Sequence, residues 1–380
     1  MIDRLLVVAS ARFEAARHPK ADPKAVHGHS FGARARVRLP GAQAPAWAPF
    51  PGGEIDELRT RLRAAVAPLD YRLVNDKILD PSGANIARWI GGRVDLAELE
   101  SLGVRSQRER GIDIDAAASA SGDAFGNPFG NAFLWQRYEF ESAHVLPKVP
   151  AGHKCGRMHG HGFAAVLRVA LAKQNVTDDS SAELRAVQVL DLAWEPLHCQ
   201  LHLGCLNEIP GLENPTSENL ARWIWERLQS KLPDLREVTV YETSTCGARY
   251  DGHAFRIWKE MDFDSAVRLQ SAPAGDPRHR MHGHSYRVRL HLRAPLDEVL
   301  GWTLDFGDVK EIFTPVFLRL DHNALIDLPG VAQGGSPALA RWIRGEVAPH
   351  LPQLERIDVV ETPGCGVELH WGGLDASGTL

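Results

Sequence analysis

The chain has 380 residues, 44% hydrophobic and 24% charged, the make-up of ordinary globular material and enough for two or three domains. With 43 basic against 48 acidic side chains its formal net charge is −5, which argues against a general nucleic-acid or membrane surface while leaving room for a local basic pocket. Five cysteines, an odd number without framework spacing, suit a reducing cytoplasm better than a secreted scaffold.

The apolar run Met1–Val8 is too short for a signal peptide, and no segment is apolar enough to span a bilayer. A cytoplasmic protein with no membrane or nucleic-acid partner is therefore expected. An internal repeat then becomes visible. His-Gly-His occurs at 27–29, 159–161 and 282–284, and Ala-Arg-Trp-Ile at 87–90, 221–224 and 340–343, each about sixty residues after its His-Gly-His. Two unrelated words in one order at one spacing imply three homologous units of domain size. The boundaries expected are 1–110, 134–253 and 254–373, with the Gly-, Ala-, Ser- and Asn-rich stretch 111–133 as a flexible linker.

Each unit has one plan. A strand ends near Phe13, Phe140 or Phe263, and His-Gly-His opens a second, alternating strand such as Phe163–Val169 or Tyr286–Leu292. A helix follows, for example around Phe306–Leu318. A second helix carries the tetrapeptide: Thr216 or Ser217 caps it, Glu218 sits in its first turn, and Leu220, Trp223, Ile224 and Leu228 form one apolar stripe. A closing strand, Glu237–Glu242 or Arg356–Glu361, ends the unit. The fold class is α+β: antiparallel four-stranded sheets, each with two helices on one face.

The middle unit holds the densest chemistry. His159 and His161, one glycine apart on a strand, face the same side, and His144 closes the preceding strand, so a hairpin delivers a third nitrogen. Three neutral imidazoles with one open position describe a catalytic zinc site. Cys155 lies four positions before the pair, and a thiol beside a dication is easily deprotonated. The other copies cannot do this: the place of His144 is taken by Arg17 and Val267, and that of Cys155 by Pro23 and Arg278. One zinc per chain is expected, with 27/29 and 282/284 as structural remnants. His198, Cys199, His202 and Cys205 also look ligand-like, but a second metal there is the weaker reading. Cys246 and Cys365 read as structural.

The run His144–Phe163 with Cys-x-x-x-His-Gly-His at its centre, the run Leu206–Glu218 and the segment Val240–Thr243 together resemble the 6-pyruvoyl-tetrahydropterin synthase superfamily over roughly 135–252. The three-residue gap between Cys155 and His159 is similar to its 6-carboxytetrahydropterin synthase branch. That resemblance implies the tunnelling fold, here three fused copies closing a pseudo-trimeric barrel, with a possible dimer of such barrels. It also implies an Asp-His dyad before a Leu-Asn, which the third unit keeps as Asp321-His322, the first reduces to Asp70-Tyr71 and the middle lacks.

Family sites lie between subunits, so the resemblance implies a composite site: zinc on His144, His159 and His161 with catalytic Cys155 from unit two, and catalytic Asp321 and His322 from unit three. Glu242 matches the acid that receives the pterin's amino-pyrimidine edge, and its counterpart Glu361 survives. The implied substrate is 7,8-dihydroneopterin triphosphate, converted to 6-carboxytetrahydropterin, acetaldehyde and triphosphate on the route to queuosine. Lys154 and Arg157 either meet the triphosphate or are solvated loop charges. The alternatives are 6-pyruvoyl-tetrahydropterin synthesis and a pterin- or purine-binding protein without turnover.

Overall fold

The computed structural model describes residues 3–20, 22–41, 45–116, 129–171, 180–297 and 300–371. The same order of elements recurs three times. The first block contains β1 (Arg4–Arg17), β2 (His27–Leu39), α1 (Glu54–Val66), β3 (Arg72–Leu73), α2 (Gly83–Val94), β4 (Leu99–Gln107) and β5 (Arg110–Ala116). The middle block contains β6 (Phe129–His144), β7 (His159–Leu171), α3 (Ser180–Leu201), β8 (Gly204–Cys205), α4 (Ser217–Leu228), β9 (Leu235–Thr243) and β10 (Cys246–Tyr250). The last contains β11 (Phe255–Val267), β12 (His282–Arg293), α5 (Phe306–Leu320), β13 (Asn323–Ala324), α6 (Val331–Val347), β14 (Leu354–Thr362) and β15 (Cys365–His370).

The long strands form one antiparallel sheet in the order β10-β9-β7-β6-β5-β4-β2-β1-β15-β14-β12-β11, and β10 pairs back onto β11. The sheet is thus a closed barrel, whose closure leaves no long edge exposed. Contacts between blocks are strand ladders: β5 on β6, β10 on β11, and β15 on β1.

Alternation explains the two faces. Along β15, Val367 and Leu369 enter the apolar core beneath the helices, while Glu368 between them is buried on the opposite face. There it meets Arg36 (Nε to Oε1, 3.0 Å), and Arg356 is paired with Asp358 at 2.6 Å. Charges this deep persist because each has a partner, an unpaired one costing several kcal/mol. The helices cover the outer face. In α4, Thr216 Oγ1 accepts from the Asn219 N–H at 3.2 Å, and Leu220, Trp223, Ile224 and Leu228 are all buried, as their spacing predicts. Burying each such side chain contributes about 1.5–3 kcal/mol.

One expectation fails. The stretch read as a linker from Gly111 begins with strand β5, in which Ile112 and Ile114 are buried and alternate with Asp113 and Asp115. Its period-two pattern outweighs a composition that suggests flexibility, because pairing with both β4 and β6 satisfies its backbone. At the other end, β6 already includes Phe129 to Phe133. The rest of that stretch, 117–128, lies outside the described residues.

Candidate metal and thiol site

The three long hairpins share one register. His144 faces His159 across β6–β7, Arg17 faces His27 across β1–β2, and Val267 faces His282 across β11–β12. Three equivalent positions, one in each block, therefore carry three different side chains beside a His-Gly-His. Gly160 keeps the hairpin uncrowded, since a Cβ there would lie 3.1 Å from the Ser142 carbonyl oxygen.

Among the described residues, three imidazoles converge in the middle block alone: one ligand nitrogen from each of His144, His159 and His161 lies within 4.8 Å of the others. His144 is 1% exposed. Its Nε2 stands 3.2 Å from that of His161. A tetrahedral zinc with Zn–N of about 2.0–2.1 Å needs its ligand nitrogens roughly 3.3 Å apart. His159 Nδ1 is 2.8 Å from the Arg157 carbonyl and His161 Nδ1 is 3.1 Å from the Gly162 carbonyl. Carbonyls can only accept, so both rings carry their proton on Nδ1 and turn a bare Nε2 lone pair toward the common point. Burial first, then the two neighbouring rings, lower the His144 pKa to about 4, which keeps it neutral and ready to ligate. The residues present fit a zinc ion. Among the described residues no other group of three or more potential ligands meets this closeness; His202, from the second ligand-like cluster, instead uses Nδ1 to accept from the Glu141 N–H at 3.2 Å.

Cys155 sits half-buried on a single tight turn, Lys154–Gly156, whose start is capped by His153: its Nδ1 accepts the Cys155 N–H at 3.2 Å. Burial, then Glu242, pushes the thiol's pKa up; Asp305 adds to this and Lys154 opposes it. The protein's own charges thus favour the neutral thiol, and a thiolate there depends on an added cation. Glu242, at the end of β9, accepts a hydrogen bond from Ser217 at 2.7 Å.

The last block does reach this site, through a segment that sequence reasoning did not single out. Ahead of α5, Thr303 donates both its N–H (2.8 Å) and its hydroxyl (3.0 Å) to Glu218, and Asp305 Oδ2 lies 3.8 Å from His153 Nε2. Glu218 is 2% exposed, and burial raises its pKa to about 7. The only sequence signal was position: Trp302–Asp305 immediately precedes a helix that Asp305 caps through the Gly307 N–H.

The Asp321-His322 pair lies at the far end of α5. Asp321 Oδ2 is 2.9 Å from His322 Nδ1, and its Oδ1 accepts the Asp264 N–H at 3.0 Å. His322 adopts φ 56 and remains largely exposed. Tyr71 (φ 53) and Leu203 (φ 58) fill the same left-handed position, each donating its N–H to the first strand of its block. Structurally His202 therefore replaces Asp321, and Leu203 replaces His322. β13 pairs with β11 near Ser265 and Ala266, on the edge that β10 occupies further back along the strand. The charged groups that act on the Cys155 thiol are Glu242, Lys154 and Asp305, and those that act on His322 are Asp321 and Asp264.

The other two mouths differ. In the first, Arg17 fills the ligand's place: its guanidinium donates to the Pro81 carbonyl at 2.8 Å and to Ser106 Oγ at 3.5 Å. Burial first, then that cation, lowers the His29 pKa to about 4. In the third, Val267 is buried with Phe50, Leu269 and Ala272.

The family described as 6-pyruvoyl tetrahydropterin synthase matches residues 133–253 and again 256–370, more than half the chain. The chain is 38% identical over 120 residues to the 6-carboxy-5,6,7,8-tetrahydropterin synthase of Synechocystis, covering 31% of this chain and 91% of that protein. It is 28% identical over 97 residues to the dihydroneopterin monophosphate aldolase of Pyrococcus furiosus, covering 24% and 79%. Among solved structures, 6-pyruvoyl tetrahydropterin synthase of Caenorhabditis elegans aligns at 19% identity with a TM-score of 0.28, over 31% of this chain and 95% of that one. Two successive family matches, falling on the middle and last blocks, establish that the chain belongs to the 6-pyruvoyl tetrahydropterin synthase family.

Proposed function

We propose that the chain is three fused tunnelling-fold units forming a pseudo-trimeric barrel, and that its middle unit is a zinc lyase of the 6-carboxytetrahydropterin synthase kind acting on 7,8-dihydroneopterin triphosphate in queuosine synthesis. The observation that carries the reading is the convergence of His144, His159 and His161 beside Cys155 and the serine-held carboxylate of Glu242. The similarity to the Synechocystis 6-carboxy-5,6,7,8-tetrahydropterin synthase supports the carboxy product over the pyruvoyl one.

Zinc bound there supplies a Lewis acid that acidifies hydroxyl oxygens and stabilises developing negative charge. Glu242, fixed by Ser217, accepts the paired N–H donors of the pterin and orients the side chain toward the imidazoles. Cys155 takes a proton from that side chain. His322, whose Nδ1–H is held by Asp321, keeps Nε2 for proton transfer on the opposite side. In this reading substrate lies between dyad and thiol at the junction of units two and three.

A second reading, pterin binding without turnover, draws on Leu203 occupying the imidazole's place in the middle unit and on the raised thiol pKa. Incubating the purified, zinc-loaded chain with dihydroneopterin triphosphate separates the readings. Acetaldehyde with 6-carboxytetrahydropterin is expected; a pyruvoyl product or unchanged bound substrate would replace the proposal with its alternative.

A further inference from the structure

Cys155 stands on a three-residue turn, and what caps that turn differs between units. In the middle unit the turn Lys154–Gly156 is capped by His153, whose Nδ1 accepts the Cys155 N–H at 3.2 Å. In the last unit the corresponding turn, Pro277–His279, is capped by Asp276, whose carboxylate accepts the Arg278 N–H at 2.9 Å. A carboxylate is an acceptor whichever way it turns. A neutral imidazole accepts at one nitrogen only, so its cap depends on where the ring carries its proton.

Because a backbone N–H can only donate, His153 caps the turn with Nδ1 bare and its proton on Nε2. That Nε2 lies 3.8 Å from Asp305 Oδ2 across the junction with unit three, and the two side chains are 30% and 28% exposed, so water screens their attraction only in part. Asp305 is itself fixed. It is the N-cap of α5, where Oδ1 accepts the Gly307 N–H at 2.6 Å and Oδ2 is left for the imidazole. Two residues earlier, Thr303 grips Glu218, next in sequence to the Ser217 that holds Glu242. At the junction of units three and one both members change together: the N-cap of α1 is Gly53 where α5 has Asp305, and the turn is capped by Asp276 where the middle unit has His153. The imidazole cap and the acid behind it stand together beside the thiol, and both are replaced where Arg278 takes the thiol's place.

We infer that Asp305, contributed by unit three, is a positioning residue for Cys155: it holds His153 in the Nε2–H tautomer, whose Nδ1 then fixes the turn that carries the thiol. The inference rests on reading Cys155 as the group that takes a proton from substrate. Burial and Glu242 push the thiol's pKa up, and Asp305 adds to them. Removing the charge of Asp305 would by itself ease thiolate formation, so a loss of turnover on its removal reports position and not ionisation.

The test uses the zinc-loaded full chain and the variants Asp305→Asn, His153→Asn and the two combined. Its two readouts are turnover of dihydroneopterin triphosphate and alkylation of Cys155 by iodoacetamide, followed by peptide mass spectrometry. Asparagine still caps α5, and at position 153 its amide oxygen accepts the Cys155 N–H with no tautomer to maintain. Asp305→Asn should lower kcat about tenfold, with KM changed less than about twofold and about one zinc ion still bound per chain. In the His153→Asn background the same change should cost less than about twofold, because the imidazole through which it acts is gone. Alkylation should follow, with Asp305→Asn speeding it at least about threefold more in the wild-type chain than in His153→Asn. Equal effects of Asp305→Asn in both backgrounds, or none in either, overturn the assignment. Should the wild-type chain not turn over, the lyase reading fails, and the alkylation rates alone decide for or against Asp305.

Discussion

His144 and His161 meet Nε2 to Nε2 at 3.2 Å across the β6–β7 ladder. His161 has its proton committed to the Gly162 carbonyl side, so a bare Nε2 lone pair points at its neighbour, and burial keeps His144 neutral. Two neutral rings at this spacing can share a metal. His144→Ala should therefore reduce zinc from about one ion per chain to near zero and abolish turnover, as removal of zinc with a chelator should. Metal content by mass spectrometry checks it, and undiminished zinc in the variant would sink the site.

The paired histidines of the first block should behave oppositely. Arg17 already places a cation beside His29. A His27→Ala, His29→Ala double variant is expected to leave zinc stoichiometry unchanged, within about a tenth of an ion per chain. A fall to half or less would mean that the arginine does not exclude metal.

His322 is exposed and contributes nothing visible to the core. If it moves protons across the junction, His322→Ala should lower kcat by about 100-fold or more while zinc content and thermal stability stay put. Restoring an imidazole in the wrong unit, by Leu203→His, should not rescue it. Turnover unaffected by His322→Ala would remove the composite site.

Two buried groups predict opposite pH effects on stability. Glu218 has its folded-state pKa raised to about 7 from 4.5, so its contribution is present below the unfolded value and lost as pH rises through about 7. Glu218→Gln should remove that loss, up to about 3 kcal/mol. His291, buried against Asp358 at 2.9 Å, has its pKa lowered to about 3, so its contribution is present above 6.5 and lost as pH falls toward 3. Denaturant midpoints measured between pH 4 and 8 should show both limbs in wild type and only the acid limb in the Glu218 variant.

Much of this was legible in the chain itself. His-Gly-His on a strand, the capped helix at Thr216 and the apolar stripe Leu220, Trp223, Ile224 and Leu228 are periodic over a few residues, and backbone geometry turns such periods directly into faces. Internal comparison also identified Arg17 and Val267 as the residues that stand in the outer copies where His144 stands in the middle one. Composition misled at Gly111–Ala116, where alternating isoleucines were the better guide.

Tertiary structure alone decided what faces what across the junctions. Thr303 reaches Glu218 from 85 residues away, and Arg278 reaches Asp56 from 222 away. No local pattern encodes those meetings, because they arise only when β10 pairs with β11 and β15 with β1 to close the barrel. The imidazole cluster is set by one hairpin's register and could be read in advance. The surroundings that raise the thiol of Cys155 come from both units, and only closure brings them together.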